Sequence, residues 1–375
     1  MKPHLAGAMA LALVLAAGPG HPVRAAVLAE PPDRPALAVA RPDQTAFLGA
    51  AFLGIAAAGD RLVAVGERGL ILLSDDQGRS WRQARVPVSV NLNAVAFPTP
   101  TQGWAVGHFG VVLHSADGGE SWVRQLDGVA AARIVADAPP PGGVASQRAR
   151  RLVEEGPDKP FLDLLFRSAE EGIVVGAFGL ILRTRDGGRS WTSATLEAPN
   201  PDGLHIYAVG QGGADLYLVG EQGLVLRSGD GGDSFRRLAT PYRGSFFAVA
   251  ADAAGGVVLA GLRGNAVRST DHGASWEAAG LPVAASVTAV ARGSGGRLLF
   301  ANQAGQVLAS DDFGRSAAPL PLGPLPPLTG LAVLKDGGLL AATPLGLRRL
   351  PPSGLASPGP ASPGLVSPGP AAAKP

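Results

Sequence analysis

The sequence predicts an all-β protein, a seven-bladed β-propeller of four-stranded antiparallel blades closed by an N-terminal strand. A short Asp motif recurs six times, a glycine turn recurs beside it, and alternating apolar runs separate them. The central Asp residues of the motif are spaced by 41, 69, 44, 41 and 41 residues. A period of about 40–45 residues with only strands and turns is typical of propeller blades.

The second repeat shows how one blade is built. The alternating run 92–97 predicts a first strand, 103–106 a second, 111–114 a third, and 121–124 the start of a fourth. Turns with Pro or Gly separate these runs, so the four strands form an antiparallel meander. Six blades follow this order, and a seventh lies between residues 328 and 350, with three strands and no Asp motif.

The Asp motif is Ser/Thr-x-Asp-x-Gly-x-Ser, usually followed by Trp. A carboxylate in a tight hairpin accepts N–H groups that the turn leaves unpaired, and the glycine permits a left-handed backbone. The Trp begins the outer strand, where burial of its ring contributes roughly 2–3 kcal/mol. We expect a structural role for Asp76, Asp117, Asp186, Asp230, Asp271, Asp312, Trp81, Trp122, Trp191 and Trp276. Calcium binding is the alternative, but each turn offers few carboxylates.

A second turn, Gly-x-x-Gly, joins the second and third strands and is expected at the end of the propeller opposite to the Asp motifs. Its glycines recur while its two middle residues change from blade to blade. Aromatic and Arg side chains in such a ring suit a protein interface, with Phe109 and Phe178 exposed on neighbouring blades; the alternative is ordinary turn variation. The candidate partner-binding residues are Arg68, His108, Phe109, Phe178, Glu221, Gln222, Arg263 and Gln303.

The domain organisation follows from composition. Residues 1–25 resemble a signal peptide, 26–45 form a lead-in whose segment 36–39 supplies the closing strand, and 46–350 form the propeller. The Pro, Gly, Ser and Ala of 351–375 predict a disordered tail. The signal peptide predicts a secreted, periplasmic protein, and because the chain has no Cys to carry a lipid we expect that it is not a lipoprotein.

An insertion at 128–159 separates blades 2 and 3. Residues 144–155 have helical character and contain Arg148, Arg150 and Arg151. Such charges predict a solvated helix more often than a binding site, although long insertions on rigid scaffolds often carry function. Both interpretations stay open at this point.

Charge and histidine placement narrow the function classes. A formal net charge of +2 gives no basic surface for nucleic acid, so no nucleic-acid partner is expected. His108, His114, His205 and His272 lie in different blades or at spacings that do not suit a metal, and no Cys joins them. We expect no metal site, no catalytic residues, no small-molecule cofactor and a monomer.

The Asp motif is the Asp-box, or bacterial neuraminidase repeat. Together with the glycine turn, the stretches 103–122 and 175–191 resemble the photosystem II stability/assembly factor-like family, and the likeness extends over residues 50–317. The resemblance implies a non-enzymatic propeller, lumenal or periplasmic, that assists assembly of membrane complexes. The insert 154–163 resembles the non-photosynthetic bacterial branch, which implies a resistance–nodulation–division type exporter as partner. Phe235 and Ala317 depart from the family's Trp.

Two alternative functions remain, a sialidase-like glycoside hydrolase and a carbohydrate-binding propeller. A sialidase requires an arginine cluster, a Tyr nucleophile with a Glu partner, and a general acid. Tyr242 and Arg243 follow blade 4 and would lie near Glu221 at the mouth of the ring, whereas Tyr207 and Tyr217 are expected in the core. Four of the five Trp residues belong to Asp motifs, which leaves few aromatic platforms for a sugar.

Overall fold

The computed structural model describes residues 49–138 and 144–352. Within them, seven antiparallel sheets follow one another, six with four strands and the last with three. Each sheet is a meander in chain order and forms one blade, so the prediction of a seven-bladed propeller is confirmed. The expected closing strand at 36–39 lies outside the described residues.

The first three blades carry the first twelve strands. Blade 1 contains β1 (Phe52–Ala58), β2 (Arg61–Gly66), β3 (Ile71–Ser74) and β4 (Arg82–Gln83); blade 2 contains β5 (Leu92–Ala96), β6 (Gly103–Gly107), β7 (Val112–Ser115) and β8 (Val123–Leu126); blade 3 contains β9 (Phe161–Phe166), β10 (Gly172–Gly176), β11 (Ile181–Thr184) and β12 (Thr192–Ser193).

The remaining fifteen strands form the other four blades. Blade 4 contains β13 (Ile206–Gly212), β14 (Asp215–Gly220), β15 (Val225–Ser228) and β16 (Arg236–Arg237); blade 5 contains β17 (Phe246–Ala251), β18 (Val257–Gly261), β19 (Ala266–Ser269) and β20 (Glu277–Ala278); blade 6 contains β21 (Val287–Arg292), β22 (Leu298–Asn302), β23 (Val307–Ser310) and β24 (Ala318–Pro319); blade 7 contains β25 (Gly330–Val333), β26 (Leu339–Thr343) and β27 (Gly346–Leu350).

The core lies between the blades. The second strand of each blade is an almost continuous apolar run because both of its faces are covered by neighbouring sheets. Apolar clusters fill the successive spaces between blades, including the space between blades 7 and 1. The Thr329 hydroxyl of blade 7 also donates to Phe52 O of blade 1 at 2.6 Å. The described blades therefore close into a ring.

The Asp motif stabilises the hairpin between the third and fourth strands. Asp186 shows the pattern: Thr184 Oγ1 and Ser190 N donate to its Oδ1, both at 2.9 Å, and Ser190 Oγ donates to Oδ2 at 2.6 Å. These bonds, led by that from the Ser190 hydroxyl, lower the pKa of Asp186 to about 2. The same bonds from the first hydroxyl and the last Ser are made at Asp76, Asp117, Asp230, Asp271 and Asp312.

The Trp of the motif seals the space beside the hairpin. Trp122 and Trp191 are buried, and each indole N–H donates to the carbonyl of the motif's glycine, at 2.9 and 3.1 Å. A buried indole needs such a partner. Trp276 differs because its buried N–H has no hydrogen-bond partner.

Two helices form the insertion between blades 2 and 3, α1 (Gly128–Asp137) and α2 (Val144–Glu154). Asp127 caps α1 by accepting from Val129 N and Ala130 N at 3.1 Å. Leu152 of α2 is buried in the cluster between blades 2 and 3. Among the helices described, none has the length and hydrophobicity of a membrane span.

Candidate protein-binding face

Successive turns of a meander lie at opposite ends of the blade. We call the end with the Gly-x-x-Gly turns the turn face and the end with the Asp motifs the motif face. The turns between the second and third strands and the links between blades lie at the turn face, so the insertion belongs there as well. All eight sequence-predicted partner residues lie at this end.

The backbone of each Gly-x-x-Gly turn is tightly constrained. A Cβ on the first glycine of the blade 3 turn, Gly176, would lie 2.3 Å from Pro160 O, so no other residue fits there. The third position adopts a left-handed conformation that costs roughly 1–2 kcal/mol in a residue other than glycine. It is occupied by Arg68 (φ 52°), Phe109 (φ 57°), Phe178 (φ 57°), Gln222 (φ 50°) and Arg263 (φ 57°).

Side chains from the next blade hold three of these turns. Arg68 N donates to Asn91 Oδ1 at 2.9 Å, and Arg263 N donates to Ser286 Oγ at 3.1 Å. Phe178 N donates to His205 Nδ1 at 2.9 Å. The acceptor is in each case the residue before the first strand of the neighbouring blade, so the turn face is a rigid surface on which the third residue is displayed.

The predicted residues differ in exposure. Phe178 is 42% exposed, and Glu221 is half-buried. Phe109 is half-buried and packs against the cluster between blades 1 and 2, so the expectation that it is exposed beside Phe178 is wrong. The other predicted residues are exposed: Arg68, His108, Gln222, Arg263 and Gln303.

Two apolar residues of this face were missed. Leu262 is 38% exposed in the blade 5 turn, and Leu345 is 59% exposed in the turn between β26 and β27. With Phe178 they are three of the four exposed large apolar side chains in the part of the chain that the structure describes; the fourth, Val123, lies on the outer strand β8. Leu262 was visible as a middle residue of its turn, whereas blade 7 lacks the glycine pattern that would have marked Leu345.

An aromatic row runs from Phe178 towards the ring's centre. The ring centroids of Phe178 and His205 are 5.0 Å apart, those of His205 and Tyr207 6.3 Å, and those of Tyr207 and Phe247 5.1 Å. Glu221 Oε2 accepts from His205 N at 2.8 Å and Oε1 from Tyr207 OH at 3.3 Å. The row thus brings together Phe178 and Glu221 of the predicted set.

This geometry gives no support to a glycosidase. The hydroxyl of Tyr242 donates to Leu262 O at 3.1 Å, and the Tyr that contacts Glu221 is Tyr207. Burial, with the charge of Glu221, raises the pKa of Tyr207 to about 12, which is opposite to the activation of a nucleophile. Tyr207 was expected in the core but lines the central channel, and the channel lining includes no arginine among the described residues.

The central channel has a volume of about 330 Å³ and is lined by the first strands of all seven blades. The residues that line the channel include small ones from the first strands of the other blades, and Asp163 of β9 lies among them. Asp163 accepts from Val209 N at 2.8 Å and from its own neighbour Leu164 N at 2.9 Å. Burial raises the pKa of Asp163 to about 7, against these two bonds.

The motif face carries ion pairs between neighbouring blades. Arg61 Nη1 lies 3.0 Å from Glu120, and a hydrogen bond of 2.7 Å joins His272 Nδ1 to Asp215 Oδ2. Lys335 of blade 7 pairs with Asp60 of blade 1. His114 is engaged by Gln102 at 2.8 Å. Within the described residues, no group of three metal-ligating side chains is assembled.

The insertion forms a groove with blade 3 at the turn face. Arg148 of α2 donates to Phe178 O and to Asn200 O, the latter at 2.8 Å. A Cβ on Gly179 would lie 2.4 Å from Asn200 Nδ2 and 2.7 Å from Arg148 Nη2, so this glycine makes room for both side chains. A groove of about 260 Å³ results, lined by Gln147, Arg148, Arg151, Leu152, Glu155, Phe178, Pro201, Asp202 and Gly203.

A family model described as Photosynthesis system II assembly factor YCF48 matches residues 44–132 and 144–315. The chain belongs to this family. The family assignment from the Asp motif and the glycine turn is confirmed, and residues 133–143 of the insertion lie between the two matched segments.

Relatives of the YCF48 family are distant in sequence. The chain is 28% identical to the Photosystem II assembly lipoprotein Ycf48 of Synechococcus sp. (strain CC9902) over 139 residues, which cover 36% of this chain and 33% of the relative's length. A solved structure of YCF48 bound to D1 peptide superposes with a TM-score of 0.60 at 15% identity, covering 83% of this chain and 95% of that one. A streptogramin B lyase structure superposes with a TM-score of 0.62 at 13% identity, covering 83% and 97%. Both superpositions show the fold alone.

These relatives correct the expected location. Two of them, from Synechococcus sp. (strain CC9902) and Picosynechococcus sp. (strain ATCC 27264 / PCC 7002 / PR-6), are named lipoproteins. The prediction of a periplasmic protein that is not a lipoprotein is therefore wrong. Its non-lipoprotein part rested on the absence of Cys, and that inference does not agree with the names of these two relatives.

Proposed function

We propose that this chain is a non-enzymatic scaffold that binds a segment of a membrane protein complex through its turn face and assists its assembly. Family membership supports an assembly role, since the matched relatives are named assembly factors. A YCF48 structure that holds a D1 peptide is a precedent for peptide recognition by this fold. The resemblance of the insert to the non-photosynthetic branch favours a resistance–nodulation–division type exporter as the complex.

The observation that carries the proposal is that most of the exposed large apolar side chains lie at the turn face and not at the motif face. Phe178, Leu262 and Leu345 are exposed on turns of blades 3, 5 and 7, around one end of a rigid ring. Three of the four exposed large apolar side chains of the described residues thus lie at this one end, and aromatic and Arg anchors supply most of the binding energy at protein interfaces.

Site-specific photocrosslinking tests the proposal. A photoreactive phenylalanine analogue is placed at Leu345 on the turn face and, in a matched chain, at the exposed Arg315 on the motif face, in the cells that make the protein. We expect Leu345 to crosslink to a membrane protein and Arg315 not to do so. Equal crosslinking from both ends, or from neither, contradicts the proposal. Recovery of exporter subunits would identify the complex.

A further inference from the structure

The groove between α2 and the blade 3 turn differs from the rest of the turn face because it combines a cavity, an exposed aromatic ring and a cation. Phe178 and Pro201 form its walls, and the buried Leu152 contributes to its floor. A volume of about 260 Å³ accommodates one or two large side chains, not a folded domain. An extended peptide that inserts a single side chain has the matching size.

Some of the charged side chains that line the groove have a partner, and one does not. Glu155 lies 3.5 Å from Lys159 Nζ, and Asp202 lies close enough to the Arg148 guanidinium to act on it electrostatically. Arg148 itself is engaged by two backbone carbonyls. Arg151 is exposed and has no partner among the described residues. Among the described residues that line the groove, Arg151 is thus a cation left available at the rim, which favours a carboxylate on the ligand.

Neighbouring side chains fix the position of the Phe178 ring. Lys159 Nζ lies 5.6 Å from the ring centroid, and the His205 ring meets it at an interplanar angle of 60°. Lys159 is buried and donates to Gly156 O at 3.0 Å, so it is fixed by the insertion. The ring is thus positioned before a ligand arrives, which lowers the entropy cost of binding.

We propose that this groove binds an extended peptide segment of the partner, with an apolar side chain against Phe178 and Leu152 and an adjacent Asp or Glu on Arg151. The inference rests on the proposed function and names the part of the partner that is recognised. Arg148 is a positioning residue: it joins α2 to the turn and so sets the width of the groove.

A random dodecapeptide phage library, selected against the full chain, tests this inference. We expect enriched sequences to share an apolar residue next to Asp or Glu. Synthetic copies of the enriched peptides, labelled with fluorescein, are then titrated by anisotropy. Phe178→Ala and Arg151→Glu should each weaken binding about tenfold or more. The neighbouring Arg150→Glu and the remote Val123→Ala on the outer strand β8, which leave the groove intact, should change it less than twofold.

A charge reversal in both the peptide and the protein gives a more specific test of the contact with Arg151. Replacing the acidic residue of the peptide by Lys should abolish binding to the wild type and restore it with Arg151→Glu. Failure to enrich any peptide, enrichment without acidic residues, or unchanged binding by Phe178→Ala overturns the inference. Thermal melts of each variant show whether the fold is intact. If photocrosslinking at Leu345 still finds a membrane protein while the peptide assays fail, only the groove is refuted and the proposed function stands.

Discussion

The motif face and the turn face are both made of turns that recur in nearly every blade, but the hydrogen bonds of the two kinds of turn have different roles. At the motif face, each Asp side chain accepts hydrogen bonds from its own hairpin, and side chains of neighbouring blades pair with one another. At the turn face, the backbone is held by bonds from the next blade while the third side chain is left outside. Residues that repeat from blade to blade are therefore the ones that hold the hairpins, and the residues that vary are the ones displayed on a fixed backbone at the turn face.

The largest effect is expected from removing the closing strand. Residues 40–51 would link segment 36–39 to β1, and the same number of residues, 194–205, links β12 to β13. Deleting 27–45 should lower the melting temperature by roughly 10–20 °C, which is a loss of about 5 kcal/mol at about 2–4 °C per kcal/mol in domains of such size. Deleting 353–375 is the control. An unchanged melt after the first deletion would show that the blades close without this segment.

The Trp of the Asp motif should matter nearly as much. Trp122 is buried between blades 1 and 2, and its N–H bonds Gly119 O. Trp122→Ala should reduce the free energy of unfolding by about 3–5 kcal/mol in urea denaturation. Trp122→Phe retains most of the ring but loses the bond and should cost less. A loss below about 1 kcal/mol for Trp122→Ala would mean that the motif face does not hold the ring together.

Acid should weaken the motif face. The Ser190 hydroxyl and N–H lower the pKa of Asp186 to about 2, below its value in an unfolded chain. The stability that this carboxylate supplies is therefore complete above about pH 4 and is lost as the pH falls through 2. Asp186→Asn should be less stable than the wild type at pH 7, and the difference should shrink below pH 4. A difference between the two proteins that stays constant down to pH 2 would contradict this role for Asp186.

Asp163 in the channel should respond in the opposite direction. Burial raises its pKa to about 7, so the folded state favours the protonated form. Stability from this group is greatest at low pH and declines as the pH rises towards 7. Denaturation of the wild type and Asp163→Asn at pH 5 and pH 8 should show the variant gaining relative to the wild type at the higher pH. A parallel response of the two proteins would mean that channel water keeps the carboxylate solvated.

Much of this architecture was readable from the sequence because the period and the turns are local signals. The Asp motif fixes a hairpin within eight residues, and its bonds lie where the residue types require them. The aromatic row and the groove were not readable, because His205, Phe178 and Arg148 come together from separate blades and the insertion. Gly179 was the one hint of the groove, since its missing side chain admits Arg148, but it was indistinguishable from the other turn glycines.

The smallest stability change, and the sharpest separation of the two faces, is expected on the turn face itself. Leu345→Ala should change the free energy of unfolding by no more than about 0.5 kcal/mol because its side chain is exposed. Phe178→Ala and Leu262→Ala should each cost about 1 kcal/mol, because part of each side chain is covered. Gly176→Ala in the same blade 3 turn should destabilise, since its Cβ would lie 2.3 Å from Pro160 O. Urea denaturation distinguishes the two groups. If replacing the exposed side chains lowers the free energy of unfolding as much as Gly176→Ala does, these side chains have a structural role. The proposal that the turn face binds a partner would then lose its support.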